Sequence, residues 1–491
     1  MMSTRFFLLL SIALLLPVFT SAQAQPSDTA ERTIDFDEAV RIALDQNTTL
    51  KRASNSAKQQ DIAVARARMN FLPNLTMSSG GNRNFGRSFS QEEGGIVNET
   101  SDFFTVNARS SVNLFRGFEK FASLDQANLR SQAGELNLER ARQDVVFTVM
   151  ERYLTFIQNQ ELIRVRQEEL DAQRQQLEQI QELVDAGARP VSELYQQEAT
   201  VAGAEQQLLS AEREAELSKT RLIQALQLDP FGSYAFEAPS VEQQDLTPES
   251  YQLDELLDRA FQRRTDLRAS EVGVQAAREG ITIAKSGYYP SISLSLDYGS
   301  NWSSRSQLPV PGTGTDPTIV EIPTSSGSTV PYPVPGTGSS PRFQQPSFMD
   351  QLDNRRGGSI SLGLSFPIFD RMQTKHNVEQ ARVELANARY DLEDQKQQVA
   401  LQVRQAYLDY ENTEKRLDVA QKRLRAAERA REAAQERYNL GSATFVELAQ
   451  ANADYVNAAS EQVRVQYDFL FQKKLIDYYL GVLNPRDPLF R

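Results

Sequence analysis

Strict alternation of apolar and polar residues marks several short segments of the chain. From Ser291 to Tyr298, isoleucine, leucine and tyrosine occupy every second position, and serine or aspartate occupies the others. The same alternation runs from Phe104 to Leu114 and from Ile360 to Ile368. A period of two predicts β-strands that have one apolar and one polar face. The predicted strands are two within 73–115, one at 290–302 and one at 358–369.

The two faces of these strands favour a position between lipid and water. The strands have about the 9–11 residues that a tilted membrane strand needs, and their polar face carries mostly small hydroxyl side chains. Four strands cannot close a barrel, because the smallest membrane barrels have about 8 strands. The pattern therefore predicts that several chains pool their strands, although alternation alone also fits an ordinary half-buried sheet.

A second pattern, with apolar residues at every seventh position, marks very long helices. The segment from Arg116 to Ala186 contains no proline, and a helix of this length extends for roughly 100 Å. Its apolar stripe consists of Val149, Phe156, Ile163, Leu170, Leu177 and Val184. A sustained heptad repeat predicts left-handed coiled-coil packing, here in two hairpins at 116–228 and 371–482. A coiled-coil rod outside any membrane would show the same repeat.

The chain contains this arrangement twice. Phe36–Leu75 aligns without a gap with Leu253–Ile292, and Phe115–Leu226 aligns in the same way with Phe369–Leu480. Such internal repetition is a strong sign of two similar structural units, which we place at 25–252 and 253–491. The predicted fold class is mainly α with membrane β, internally duplicated, with long antiparallel helices and four strands per chain.

Each copy also has a polar loop between its two strands. In the second copy this loop, 303–357, is rich in Pro, Gly, Ser and Thr, and Val310–Gly314 recurs as Val334–Gly338. Such a composition buries too little apolar surface to form a core, so we expect a solvated, extracellular loop. The first copy has a shorter polar loop from Gly80 to Asp102.

The first residues are typical of a secretory signal peptide at 1–24. Arg5 is followed by an apolar run from Phe6 to Phe19 and by the small-residue site Ala22-Gln23-Ala24, so cleavage is expected before Gln25. The alternative is an uncleaved membrane anchor, but the apolar run is shorter than the roughly 20 residues of a spanning helix.

Composition narrows the function further. There is no cysteine, which excludes disulfides and thiolate chemistry, and the single histidine, His376, lies in a polar stretch that predicts an exposed helix start. The net charge of −12 disfavours a nucleic-acid partner. No catalytic residues, cofactor or metal site are predicted, because nothing converges with the many carboxylates.

Two glycine turns join the long helices of each hairpin. Gly187 and Gly441 each end one helix, and Pro190 begins the next helix in the first copy, in keeping with the preference for glycine after a helix and proline at its start. These turns are predicted to be the hairpin tips, at the far end of the helices from the strands.

In this ordered set of features the chain resembles the TolC-type outer membrane efflux proteins. The resemblance rests on the opening helix Asp37–Leu44, the helix-to-strand steps Leu72-Pro73 and Tyr289-Pro290, the segment Leu114–Gly117, and both glycine tips. It implies a homotrimer with a twelve-stranded barrel in the outer membrane lipid and a twelve-helix tunnel in the periplasm. It also implies a periplasmic adaptor (membrane fusion protein) and an inner-membrane pump of RND, ABC or MFS type.

The resemblance further implies a gate at the tips, with Glu447, Gln450, Glu193 and Tyr438 as its residues. Glu447 would form an acidic ring facing the pore, and Gln450 replaces the acidic residue of a second ring. Tyr438 would bond to Glu193 of the neighbouring tip in the closed state. Ala443 stands where the family has an arginine, so we expect a weaker lock. Both glutamates could instead simply stabilise the first turns of their helices.

The same resemblance implies that the adaptor contacts the tips. The expected contact residues are Ala186, Gly187, Ala188, Arg189, Leu440, Gly441, Ser442 and Ala443. The leading hypothesis is therefore a passive exit duct of a tripartite efflux system. The alternatives are a duct for type I protein secretion, on the same architecture, and a structural periplasmic coiled-coil protein.

Overall fold

The structure is a computed structural model that describes residues 32–90, 95–98, 100–238, 246–310, 318–323, 327, 329–334 and 342–483. The predicted signal peptide lies outside the described residues. The helices are α1 (Phe36–Gln46), α2 (Thr48–Met69), α3 (Glu119–Asp185), α4 (Val191–Leu226), α5 (Leu253–Arg263), α6 (Thr265–Lys285), α7 (Phe348–Asn354), α8 (Gln373–Asn439) and α9 (Phe445–Tyr479).

The strands fall into one main sheet and several short pairs. They are β1 (Arg32–Ile34), β2 (Asn74–Asn84), β3 (Arg87–Ser90), β4 (Gly95–Asn98), β5 (Ser101–Arg116), β6 (Tyr234–Phe236), β7 (Ser291–Ser303), β8 (Leu308–Val310), β9 (Thr318–Pro323), β10 (Thr329–Val334), β11 (Arg342–Gln344) and β12 (Gly357–Ser365). The main sheet is antiparallel and four-stranded, in the order β12-β7-β5-β2.

The long helices pack side by side in one layer. In the half near the tips, α3 packs against α4 and α9, and α8 packs against α9. In the half near the sheet, α3 lies between α2 and α6, and α6 packs against α8. Both α3 and α8 have 67 residues, so each extends for roughly 100 Å.

Two apolar clusters hold the middle of the molecule together. One surrounds Tyr153, whose hydroxyl donates hydrogen bonds to the main-chain oxygens of Ile34 and Glu237 and so joins α3 to the parallel pair β1-β6. The other surrounds Tyr410 on α8, which packs against Phe469 on α9. These clusters fix the base of both hairpins and leave the tips at the far end.

No helix among the described residues combines the length and the apolar character needed to cross a membrane. His376 lies exposed in the first turn of α8, as predicted, with Nδ1 3.6 Å from a carboxylate oxygen of Glu379.

The strand predictions need two corrections. The first polar loop is shorter than expected, because β2 continues through Gly80 to Asn84 and pairs with β5 up to Ser101; the glycines carry no side chain that could show the alternation. In the second copy, β12 ends at Ser365. Pro367 follows, and its missing N–H cannot continue the ladder, so Phe366 to Phe369 are not part of the strand.

The segment 303–357, predicted to be a solvated extracellular loop, contains regular structure that contacts the main sheet. The described part of this segment contains β8 to β11 and α7. Gln351 on α7 is buried, and its Oε1 accepts a hydrogen bond of 3.0 Å from the main-chain N–H of Ser303. The Phe348 ring lies 5.6 Å from that of Trp302. Composition could not predict these contacts, because they depend on a few individual side chains, such as Gln351 and Phe348, and not on the average character of the segment.

Candidate gate at the hairpin tips

The two hairpin tips turn in the same way. Gly187 and Gly441 both adopt φ of +73°, a left-handed conformation that glycine takes at little cost. After each glycine the main chain bonds back to the helix: Ala188 N–H donates to Leu183 O at 2.8 Å, and Ser442 N–H donates to Arg437 O at 2.8 Å. This is the Schellman pattern of a helix end, and it makes both tips compact.

The tips of one chain pack against each other through a small apolar cluster. Its buried members are Ile180, Leu194, Tyr438, Phe445 and Leu448, drawn from all four long helices. Because the cluster combines residues of both hairpins, it holds the second hairpin against the first close to the turns.

Tyr438 lies at the centre of this contact and is 2% exposed. Its hydroxyl donates a 3.0 Å hydrogen bond to Glu193 Oε2. Arg189 lies against both residues. Its guanidinium carbon is 4.4 Å from the centre of the tyrosine ring, its Nη2 donates to Tyr438 O at 3.1 Å, and its Nη1 is 3.5 Å from Glu193 Oε2. A cation, a carboxylate and a phenol thus form one cluster across the two hairpins.

The environment of Tyr438 keeps its hydroxyl protonated. Burial, and after it the hydrogen bond to Glu193, raises the pKa of Tyr438 to about 12, although the nearby Arg189 acts in the opposite direction. The phenol is therefore a hydrogen-bond donor throughout the physiological range.

An arginine lies in this cluster although position 443 is alanine, and the weaker lock expected from Ala443 stays a prediction. Ala443 does lack the side chain, but Arg189 on the first hairpin occupies the cluster instead. The sequence carried a signal for this, because Arg189 follows Gly187 at the same distance at which the family arginine follows the second glycine. The resemblance implies a role for Arg189 at the adaptor surface only.

Glu447 lies in the first turn of α9 and has a partner that the sequence did not predict. Arg437 Nη2 is 3.3 Å from Glu447 Oε2 and also donates to Ser442 O at 3.3 Å. Thr444 caps α9 by accepting the N–H of Glu447. The carboxylate is therefore exposed but accompanied by a positive charge.

Gln450 donates a 3.1 Å hydrogen bond from Nε2 to Asp454 Oδ1, one turn further along α9. An acidic side chain therefore lies one turn from position 450, and the absence of the second acidic ring stays a prediction. The turns themselves expose apolar side chains, and Leu440 is 82% exposed.

Comparison with known proteins identifies the family. The model of the family described as "Outer membrane efflux protein" matches residues 39–227 and 256–481. This chain belongs to that family. The match places the protein in the outer membrane, within a family of efflux proteins rather than of enzymes.

Among curated proteins, the chain is similar to "Outer membrane protein TolC" of Vibrio cholerae serotype O1. The two are 24% identical over 293 residues, which cover 60% of this chain and 64% of the relative. The chain therefore spans less than two thirds of the length of that relative.

Solved channel structures share the fold. VceC from Vibrio cholerae has a TM-score of 0.71 and 16% identity, with 91% of this chain and 96% of that chain covered. The CmeC outer membrane channel of Campylobacter jejuni has a TM-score of 0.72 and 16% identity, with 92% and 87% covered. The open-state MtrE channel of Neisseria gonorrhoeae has a TM-score of 0.67 and 19% identity, with 91% and 88% covered. This likeness confirms the predicted fold class.

Proposed function

We propose that the protein is the passive exit duct of a tripartite efflux system. Three copies form a channel through the outer membrane and a helical tunnel in the periplasm. A periplasmic adaptor joins the tunnel tips to an inner-membrane pump of RND, ABC or MFS type, and the pump supplies the energy. The duct opens by separation of its tips.

The observation on which this proposal chiefly rests is that one chain leaves its main sheet open at both edges. β12 and β2 are the outer strands, and an open edge presents unpaired main-chain groups that pair readily with another strand. Leu362 on β12 is 69% exposed, and Leu75 on β2 is exposed as well. Three copies would supply twelve strands with an apolar face towards lipid and a polar face towards the pore.

The helical layer supports the same conclusion, because α8 forms one of its borders while α4 and α2 form the other. The border helix α8 carries a line of exposed apolar side chains, namely Val383, Tyr390, Leu401, Leu408 and Val419. On the opposite border, Ile62 of α2 and Leu209 of α4 are exposed. Large exposed apolar patches mark interaction surfaces, and a second copy of the chain would cover both borders.

Opening at the tips is supported by a difference between the two hairpins. In α8, none of the residues from Gln421 to Arg437 is buried, whereas the corresponding part of α3 buries Leu170, Gln173 and Ile180. Regions with few buried contacts open at low free-energy cost. The second hairpin is therefore the softer one, and the cluster of Arg189, Glu193 and Tyr438 holds it closed.

The exposed apolar residues at the tips suit an adaptor. Leu440, Val446 and Val191 lie around the two turns, and all are more than half exposed. A protein partner that covers them would gain apolar burial without disturbing the buried cluster.

The test is transport in the native host. Deletion of the gene is expected to increase the retention of a fluorescent efflux dye, and the intact gene is expected to restore export. Unchanged dye retention would contradict the efflux role. If instead a secreted polypeptide disappears from the medium, the duct serves protein secretion, which requires the same architecture.

A further inference from the structure

A buried polar pair interrupts the apolar seam of the first hairpin. Gln197 on α4 is 1% exposed and Gln173 on α3 is 6% exposed. Gln197 Nε2 donates to the main-chain oxygen of Gln173 at 2.8 Å and to its side-chain Oε1 at 2.9 Å. On both sides the seam is apolar, with Leu170 and Val201 towards the sheet and Ile180 and Leu194 towards the tip.

The second hairpin has no such polar pair at the equivalent positions of its helices. The equivalent positions, given by the gap-free alignment of the two copies, are Ala427 and Ala451, and both are half-buried. Alanine side chains cannot form such a pair. The polar contact therefore belongs to the first hairpin only, which is the hairpin that carries Arg189 and Glu193.

We propose that Gln173 and Gln197 are positioning residues of the gate. They fix the register of α3 against α4. In this way they set the positions of Glu193 and Arg189 along the helix axis relative to Tyr438. The inference rests on the gate proposed above and concerns how that gate is held in place.

The physical reason is that apolar seams specify register weakly. Leucine and valine side chains can repack after a shift, whereas a buried polar pair is satisfied in one register and unpaired in the others. A slip of one residue moves a side chain by about 1.5 Å along the helix. The hydrogen bond between Tyr438 and Glu193, now 3.0 Å long, cannot tolerate such a change, because hydrogen bonds weaken beyond about 3.2 Å.

An effect of the glutamine pair on helix register can be distinguished from an effect on stability. Replacement of a buried polar pair by apolar residues of similar volume is often neutral or stabilising, because two amides no longer have to be buried. A pair that only strengthened the hairpin would affect stability and leave the gate unchanged. A pair that fixes register would affect the gate even where stability rises.

The experiment compares two double variants of the full chain, purified as oligomers and inserted into planar lipid bilayers. The test variant is Gln173→Leu/Gln197→Leu. The control is Gln175→Leu/Gln196→Leu, which makes the same chemical change at two exposed positions of the same helices. We expect the test variant to have an unchanged or higher melting temperature and a several-fold higher resting conductance. The control is expected to match the wild type in both.

A wild-type conductance of the test variant would overturn the inference, provided that Tyr438→Phe is leaky in the same assay. If the leucine pair does not fold, Gln173→Met/Gln197→Met keeps the side-chain length and has the same expected result. Failure of the proposed duct function would give a different result: neither wild-type oligomers nor oligomers with Tyr438 and Glu193 substituted would form channels.

Discussion

The hydroxyl of Tyr438 on the second hairpin donates a 3.0 Å hydrogen bond to Glu193 on the first. Arg189 lies over the tyrosine ring and beside the same carboxylate. Together these contacts join the two hairpins of one chain at their tips, where we propose that the duct opens.

The first prediction concerns the titration of Tyr438. Burial, followed by the hydrogen bond to Glu193, raises its pKa to about 12, whereas an unperturbed tyrosine titrates near pH 10. Since the folded pKa is the higher one, the contribution of the contact to stability is complete below about pH 10 and is lost as the pH rises towards about 12. The difference in ultraviolet absorbance between wild type and Tyr438→Phe should show a midpoint near the higher value. A midpoint near 10 would mean that the phenol is not held in this contact.

The second prediction concerns ion preference. Glu447→Gln should reduce the preference of the channel for cations, because it removes a carboxylate from the tip. Arg437→Gln should raise that preference, because Arg437 is the positive partner 3.3 Å away. Reversal potentials under a potassium chloride gradient measure both effects. Shifts in the same direction, or no shift in either variant, would remove Glu447 from the ion path.

The third prediction concerns the adaptor. Leu440→Ser should weaken binding of the purified adaptor, because Leu440 is exposed at the second tip. The conductance of the Leu440→Ser channel should remain that of the wild type, since Leu440 lies outside the buried cluster. Phe231→Ser is the control, because Phe231 is also largely exposed but lies in the turn between α4 and β6. Equal adaptor affinity of all three proteins would place the contact elsewhere.

The fourth prediction concerns the turns between sheet and tunnel, where both copies use a left-handed residue. Gly117 has φ of +56°, and a Cβ there would lie 2.4 Å from Ser286 O. Gly117→Ala should therefore destabilise the fold by roughly 2 kcal/mol or more, from backbone strain and overpacking. Arg371 occupies the equivalent position with φ of +56°, so Arg371→Gly should be neutral or stabilising by up to about 1 kcal/mol. Thermal unfolding of the purified protein compares them, and equal effects would contradict the assignment of strain.

The sequence predicted the parts of the fold that depend on local periodicity. The heptads of α3 and the alternation of β7 are read from neighbours a few positions away, so the long helices and most strand positions could be placed. The prediction failed at Gly80 in β2, where glycine shows no alternation. It also failed beyond Ser365 in β12, where the alternation continues but Pro367 cannot extend the hydrogen-bond ladder. The packing of α7 depends on Gln351 and Ser303, whose residue types do not reveal that they meet.

The candidate site was predictable only in part for the same reason. Tyr438 and Glu193 came from the resemblance, and the structure places them in contact. Arg189 and Arg437 were not predicted as gate residues. The contact between Arg189 and Tyr438 joins positions 249 residues apart, and the contact between Arg437 and Glu447 depends on how the chain turns at the second tip. Alignment of the two tips at Gly187 and Gly441 could have predicted the role of Arg189, because Arg189 follows its glycine at the same distance as the family arginine follows the second glycine.

The most direct test of the account is the resting conductance of the purified oligomer in planar bilayers. The variant Tyr438→Phe/Glu193→Gln removes the hydrogen bond between the hairpins and leaves their apolar cluster in place. Tyr288→Phe, at an exposed position between α6 and β7, removes a hydroxyl far from the tips. We expect small, closed-state conductance for the wild type and the control, and a several-fold larger conductance for the double variant. Equal conductance of all three, or the absence of channels from folded oligomers of the double variant, would contradict a duct that is closed at its tips.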